Sequence, residues 1–64
     1  MVLSKEEITR KREALGLSKS AFSRECGLHV STVSQIEGGR LNPYPGQIEK
    51  IVAAFERLEA DQEV

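Results

Sequence analysis

Residues 21–37 read AFSRECGLHVSTVSQIE, and this stretch decides the fold. Ser23 is small where a second helix would have to approach closely, and Gly27 permits the positive φ of a tight turn. Apolar side chains bracket that turn and recur at three-residue spacing after it, at Phe22, Cys26, Leu28, Val33 and Ile36. These offsets predict two short helices held at a steep angle, which is helix-turn-helix geometry.

The segment before this stretch has the pattern of a complete helix start and stop. Ser4 can cap a first helix, and the side chain of Glu7 can in return accept a hydrogen bond from the Ser4 end of that helix. Leu3 can pack on Ile8 as a hydrophobic staple. Gly16 can adopt the left-handed backbone conformation that commonly ends a helix. Ser18 then follows as the cap of the second helix. The sequence therefore predicts two capped helices up to Gly27.

The segments after Gly27 predict two more helices. The third covers about Val30 to Glu37 and is terminated by Gly38-Gly39. After an Asn42-Pro43 turn, Pro45 suits the first position of a fourth helix. We expect the buried stripe of that helix to be Ile48, Ile51, Val52 and Phe55. Residues 56–64 are expected to form a helical extension or a frayed tail.

Length and composition predict a single small globular domain. Its 64 residues are 39% hydrophobic and 30% charged, which is typical of a soluble globular domain, and no segment alternates like a strand. The longest apolar run is residues 51–55, far below the roughly 18 residues that span a bilayer. One cysteine and one histidine are a poor basis for a disulfide or a metal site. We expect a single all-α, compact four-helix domain over residues 1–64, cytoplasmic, with no cofactor, metal or membrane partner.

Charge is distributed unevenly along the chain. Residues 1–40 contain seven Lys/Arg and five Glu, whereas residues 41–64 contain two Lys/Arg and five Asp/Glu. The basic side therefore lies in the first two thirds, although ordinary surface charge would also explain so mild a bias.

At this point the sequence resembles the phage repressor and Cro type of helix-turn-helix protein, the XRE family. The resemblance covers roughly residues 8–55 and is carried by REALGLS (12–18), AFS (21–23), CGL (26–28), STVSQIEGGR (31–40) and NP (42–43). It implies a lambda-repressor-like fold in which helices two and three form the helix-turn-helix. It also implies sequence-specific operator binding, with the third helix in the major groove.

Three features depart from the family pattern. His29 stands where Ser or Thr usually caps the third helix, and Lys19 stands where Gln is common. The chain is also short for the fifth helix that many members carry, so the usual dimerisation surface is in question.

Helical periodicity separates two faces of the third helix. At about 100° per residue, Val33 and Ile36 fall on one side. The opposite side holds the candidate base-reading residues, which are Val30, Ser31, Ser34 and Gln35. A glutamine can pair with adenine N6 and N7, a serine can donate or accept, and a valine can contact a thymine methyl group. Outside a helix-turn-helix the same residues would be ordinary solvated positions.

Five residues near helix ends are candidates for phosphate contact. Lys19 begins the second helix, where the family touches the DNA backbone and where free N–H groups beside Ser18 favour an anion. Arg40 follows the third helix, and Asn42 and Tyr44 precede the fourth. Solvated side chains are the alternative for Lys19 and Arg40.

The remaining polar residues predict structural roles. Arg12 lies between Ile8 and Leu15 on the inward side of helix one, and the resemblance implies a partly buried ion pair between Arg12 and Glu37. Cys26 is expected in the core, and His29 is expected to cap a helix or touch phosphate. No acid and nucleophile stand at a triad spacing, so we expect no enzyme and no catalytic residues.

These features together predict a transcriptional regulator, a repressor, that binds a pseudo-palindromic double-stranded operator. One recognition helix reads few base pairs, so we expect a weak homodimer that pairs on DNA. A strip of Ala54 and Leu58 beside the core face is a candidate contact between the two copies. Alternatively, Leu58 folds back over the domain or lies in a frayed helix end. The rival function is a protein-interaction module, of the antitoxin or regulator-binding type, on the same scaffold.

Overall fold

Four α-helices follow one another in the computed structural model, which describes residues 4–62. They are α1 (Lys5–Ala14), α2 (Lys19–Cys26), α3 (Val30–Glu37) and α4 (Pro45–Gln62), and no strand occurs within the described range. The all-α prediction with four helices is confirmed. The predicted packing of Leu3 on Ile8 lies outside the described residues.

The first helix begins and ends at the residues that the sequence predicts. The Ser4 hydroxyl accepts from the Glu7 N–H at 3.1 Å and donates to Glu7 Oε1 at 3.3 Å. At the other end, Gly16 has a φ of 72°. This backbone lets the Leu17 N–H donate to the Arg12 carbonyl at 3.2 Å, which closes the helix in a Schellman arrangement.

The elbow between α2 and α3 depends on a glycine and a small side chain. Gly27 has a φ of 72°, and the Leu28 N–H donates to the Ser23 carbonyl at 3.0 Å. Ser23 is buried, and its hydroxyl donates to the Ser20 carbonyl at 2.7 Å, so burial leaves no polar group without a partner. At the start of α2, the Ser18 hydroxyl accepts from the Ala21 N–H at 3.1 Å. Local chemistry therefore sets both ends of α2.

The core lies where the four helices meet. Phe22 is completely buried and stacks on Phe55 with ring centroids 4.8 Å apart. Burying one such ring contributes about 1.5–3 kcal/mol relative to leaving it exposed. The buried hydrophobic residues are Ile8, Phe22, Cys26, Val33, Ile36, Ile51, Ala54 and Phe55.

The buried face of α4 differs from the predicted stripe. Ile51 and Phe55 are buried as expected, but Ile48 and Val52 are only half-buried. Gln47 and Ala54 take buried positions instead. Gln47 tolerates burial because its Oε1 accepts the Tyr44 N–H at 3.2 Å. The buried face of α4 is thus rotated toward a polar residue whose side-chain oxygen caps the helix.

The proposed strip of Ala54 and Leu58 is wrong. Ala54 belongs to the core, and Leu58 packs against that core as a partly buried side chain. The alternative in which Leu58 folds back over the domain therefore holds. The segment after residue 56 is a helical extension as far as Gln62, the last residue described.

Candidate nucleic-acid interface

One face of α3 is buried in the core and the other is open to solvent. Val33 and Ile36 are buried, whereas Val30 is 37% exposed and Ser31 and Gln35 are exposed. Ser34 is half-buried at the edge of the open face. All four sequence-predicted base-reading residues therefore lie on the side away from the core, and their small size allows close approach to another molecule.

His29 caps the N-terminus of α3. Its Nδ1 accepts from the Ser31 N–H at 3.1 Å and also lies 2.8 Å from the Ser31 hydroxyl oxygen. The capping role agrees with one of the two roles expected from the sequence. The contact with the Ser31 hydroxyl was not predicted from the sequence.

The start of α2 presents a cation beside free backbone donors. Lys19 is exposed in the first turn, directly after the exposed Ser18. The Ser18 hydroxyl accepts from the Ala21 N–H, so its own hydrogen can still be donated to an anion, together with the backbone N–H groups of the first turn. These groups carry the positive end of the helix dipole and therefore favour negative charge.

The loop after α3 is tied to the exposed face of that helix. The Arg40 N–H donates to the Gln35 carbonyl at 2.9 Å, which places Arg40 next to the carboxyl end of α3. Its side chain is exposed, as is that of Asn42. Tyr44 is 63% exposed, and its carbonyl accepts from the Gln47 N–H at 2.9 Å as the cap residue of α4. These three side chains are free to meet a ligand.

Arg12 and Glu37 join α1 to the end of α3. Arg12 Nε donates to Glu37 Oε2 at 2.9 Å and Nη2 donates to Oε1 at 3.1 Å, with the side chains 10% and 3% exposed. Arg12 Nη1 also donates to the Leu17 carbonyl at 2.7 Å. The Thr9 hydroxyl adds a bond to Glu37 Oε1 at 3.0 Å. Thr9 was missed in the sequence, although its position three residues before Arg12 puts it on the same face.

The side chains of Cys26 and Lys11 take part in packing and ion pairing. Burial raises the pKa of the Cys26 thiol to about 11, with Arg57 lowering it and Glu25 raising it. Lys11 lies over the Phe55 ring and pairs with Glu59 at 3.4 Å. Within residues 4–62, no cluster of His, Cys, Asp or Glu is arranged to hold a metal, and none of the described helices combines the length and hydropathy needed to cross a bilayer.

Comparison with known proteins identifies one family. A family model described as a helix-turn-helix domain matches residues 6–63, which is nearly the whole chain. A comparison with curated proteins gave no match.

Proposed function

The chain belongs to the helix-turn-helix domain family, and from this premise we propose that it is a transcriptional regulator that binds double-stranded DNA sequence-specifically. The observation that carries the proposal is the open face of α3, which is small and polar while its opposite face holds the core. In this arrangement α3 enters the major groove, whose width admits one helix.

Base reading is assigned to Val30, Ser31, Ser34 and Gln35. Gln35 is exposed in the last turn of α3 and carries the amide that pairs with adenine N6 and N7. The serines add single hydrogen bonds, and Val30 offers its methyl groups to a thymine. The exposure of these side chains supports the assignment.

Phosphate binding is assigned to Ser18, Lys19, Arg40, Asn42 and Tyr44. All five are exposed and stand at helix ends or in the α3–α4 loop. Phosphate contacts fix the register of a protein on the duplex and carry no sequence information. Arg40, whose backbone is bonded to Gln35, would hold the carboxyl end of α3 against one strand.

Two copies on a pseudo-palindromic operator would supply the affinity that a single recognition helix lacks. Half-sites for such a pair stand about 34–36 Å apart, which is one turn of the duplex. Weak pairing of the free protein, made cooperative by DNA, suits this arrangement. A repressor needs only to occupy its operator, so this activity requires no surface beyond those that bind DNA and pair the two copies.

Selection of bound duplexes from a random pool tests the proposal. We expect enrichment of one short motif, repeated in inverted orientation at a spacing of about 10 base pairs. The double variant Lys19→Ala/Arg40→Ala should retain much less DNA of any sequence, because phosphate contacts supply the non-specific affinity.

A reporter gene with the enriched motif at its promoter tests the sign of regulation, and we expect lower transcription when the protein is present. Failure to retain any duplex at low salt, with the fold intact, would instead favour the protein-interaction module.

A further inference from the structure

We infer that His29 makes the Ser31 hydroxyl an acceptor only, so that Ser31 selects an exocyclic amino group in the major groove. The targets of this chemistry are adenine N6 and cytosine N4. The inference rests on the proposed function, because it specifies what one base-reading residue of α3 reads. His29 is a positioning residue in this scheme, since it acts through Ser31.

The tautomer of His29 follows from the cap of α3. The Ser31 backbone N–H donates to Nδ1 at 3.1 Å, so Nδ1 has a lone pair and no hydrogen. In the neutral ring the hydrogen is then on Nε2. An unprotonated Nδ1 can only accept from the Ser31 hydroxyl oxygen, which lies 2.8 Å away.

The Ser31 hydroxyl must therefore be the donor in that contact. If its hydrogen pointed elsewhere, two lone pairs would face each other at 2.8 Å, which is repulsive. With the hydrogen directed to His29, the oxygen keeps only acceptor capacity. Because Ser31 is exposed on the open face of α3, that capacity is directed to whatever the helix contacts.

A base edge that offers another acceptor is then disfavoured at this position. Guanine O6 and N7 and thymine O4 are acceptors, whereas adenine N6 and cytosine N4 carry hydrogens. A serine with a free hydroxyl could turn its hydrogen toward either kind of edge. The histidine cap removes this freedom and converts a permissive residue into a selective one.

Base analogues in the selected duplex test the inference. Each adenine is replaced by purine, which lacks the N6 amine, and each cytosine by its analogue without the N4 amine. At one base pair we expect about three- to tenfold weaker binding of the wild-type protein, the effect of one hydrogen bond. Ser31→Ala should show no loss from the same analogue, and 7-deazaadenine should not weaken that contact.

Two variants at residue 29 separate selectivity from folding. His29→Asn retains a side-chain oxygen that only accepts, so the cap and the preference for the amine should both persist. His29→Ser also caps the helix, but its hydroxyl can donate, so the amine preference should fall about threefold or more while thermal unfolding stays near that of His29→Asn.

The outcomes of these experiments distinguish failure of the inference from failure of the proposed function. A duplex that binds tightly but shows no amine-sensitive position, or a His29→Ser protein with unchanged preference, would overturn the role of His29 and leave DNA binding intact. A protein that retains no duplex would overturn both.

Discussion

Gln35 on α3 and Lys19 on α2 are both exposed, yet their expected contributions to DNA binding differ in kind. Gln35→Ala should weaken binding to the selected motif by about 1–3 kcal/mol and relax preference at one base pair. Lys19→Ala should weaken all duplexes alike and flatten the dependence of log K on log salt by about one unit. Fluorescence anisotropy titrations on selected and scrambled duplexes at several salt concentrations measure both effects.

Helix α4 offers matched controls for these two changes. Gln62→Ala and Lys50→Ala remove the same chemical groups from exposed positions outside the proposed interface. Both should bind like the wild type. Equal losses for Gln35→Ala on selected and scrambled DNA would remove Gln35 from the base-reading set.

The Arg12–Glu37 pair is a buried residue-scale feature on which stability depends. Arg12→Met leaves the nearly buried Glu37 carboxylate with the Thr9 hydroxyl but without its cation. Removing one partner of a buried pair costs about 3–5 kcal/mol, a large part of the roughly 5–15 kcal/mol that folds a typical domain. The double variant Arg12→Met/Glu37→Met should recover most of the loss in urea unfolding.

An exposed pair in the same chain gives the comparison. Arg57 donates to Glu25 at 2.9 Å, but these side chains are about half exposed. Because solvent screens such a pair, Arg57→Met should change the unfolding free energy by about 1 kcal/mol or less. A similar cost for Arg12→Met would show that the burial of the Arg12–Glu37 pair does not matter.

At the scale of elements, the elbow depends on backbone conformation rather than on space. A Cβ at Gly27 would meet no atom within 4 Å, so the cost of Gly27→Ala comes only from the φ of 72°. This left-handed conformation costs other residues about 1–2 kcal/mol. Gly46 lies in the first turn of α4 without a positive φ, and a Cβ there would approach only the exposed Tyr44 ring, at 3.3 Å.

These two glycines should therefore respond in opposite directions. Gly27→Ala should lower the thermal midpoint, whereas Gly46→Ala should leave it unchanged or raise it, because alanine is favoured over glycine in helices by up to about 1 kcal/mol. Calorimetry of the two variants measures both thermal midpoints. A stabilised Gly27→Ala would mean that the turn can adopt another conformation.

At the scale of the whole molecule, the last turns of α4 belong to the folded unit. Leu58 packs on the core, and the neighbouring pairs Lys11–Glu59 and Arg57–Glu25 tie α4 to α1 and α2. Leu58→Asp should therefore destabilise the protein by roughly 1–2 kcal/mol, a shift of about 4–8 °C per kcal/mol. Ala60→Asp adds the same charge at an exposed site and should have little effect.

Sedimentation of the same two variants, with and without a two-half-site duplex, tests the role of α4 in pairing. We expect a largely monomeric free protein in both, and unchanged stoichiometry on DNA at temperatures where Leu58→Asp is folded. Loss of cooperative pairing in a fully folded Leu58→Asp protein would return the dimer contact to this end of α4.

The sequence by itself determined the four helices, the ends of the first three, the start of the fourth and the open face of α3. Ser4, Ser18, Gly16 and Gly27 act on backbone groups within five residues of themselves, so their effects can be read locally. The face of α3 follows in the same way from helical periodicity, since the elbow leaves only one side of the helix for the core.

Only the tertiary structure decided the buried face of α4, the stacking of Phe22 on Phe55 and the place of Thr9 beside Glu37. Hydrophobicity favoured Ile48 and Val52 over Gln47 and Ala54, but the rotation of α4 is set by what α2 presents to it. Gln47 could be buried because a cap bond satisfies its side-chain oxygen. Such choices depend on partners distant in sequence, and a local pattern carries no information about which partner a face will meet.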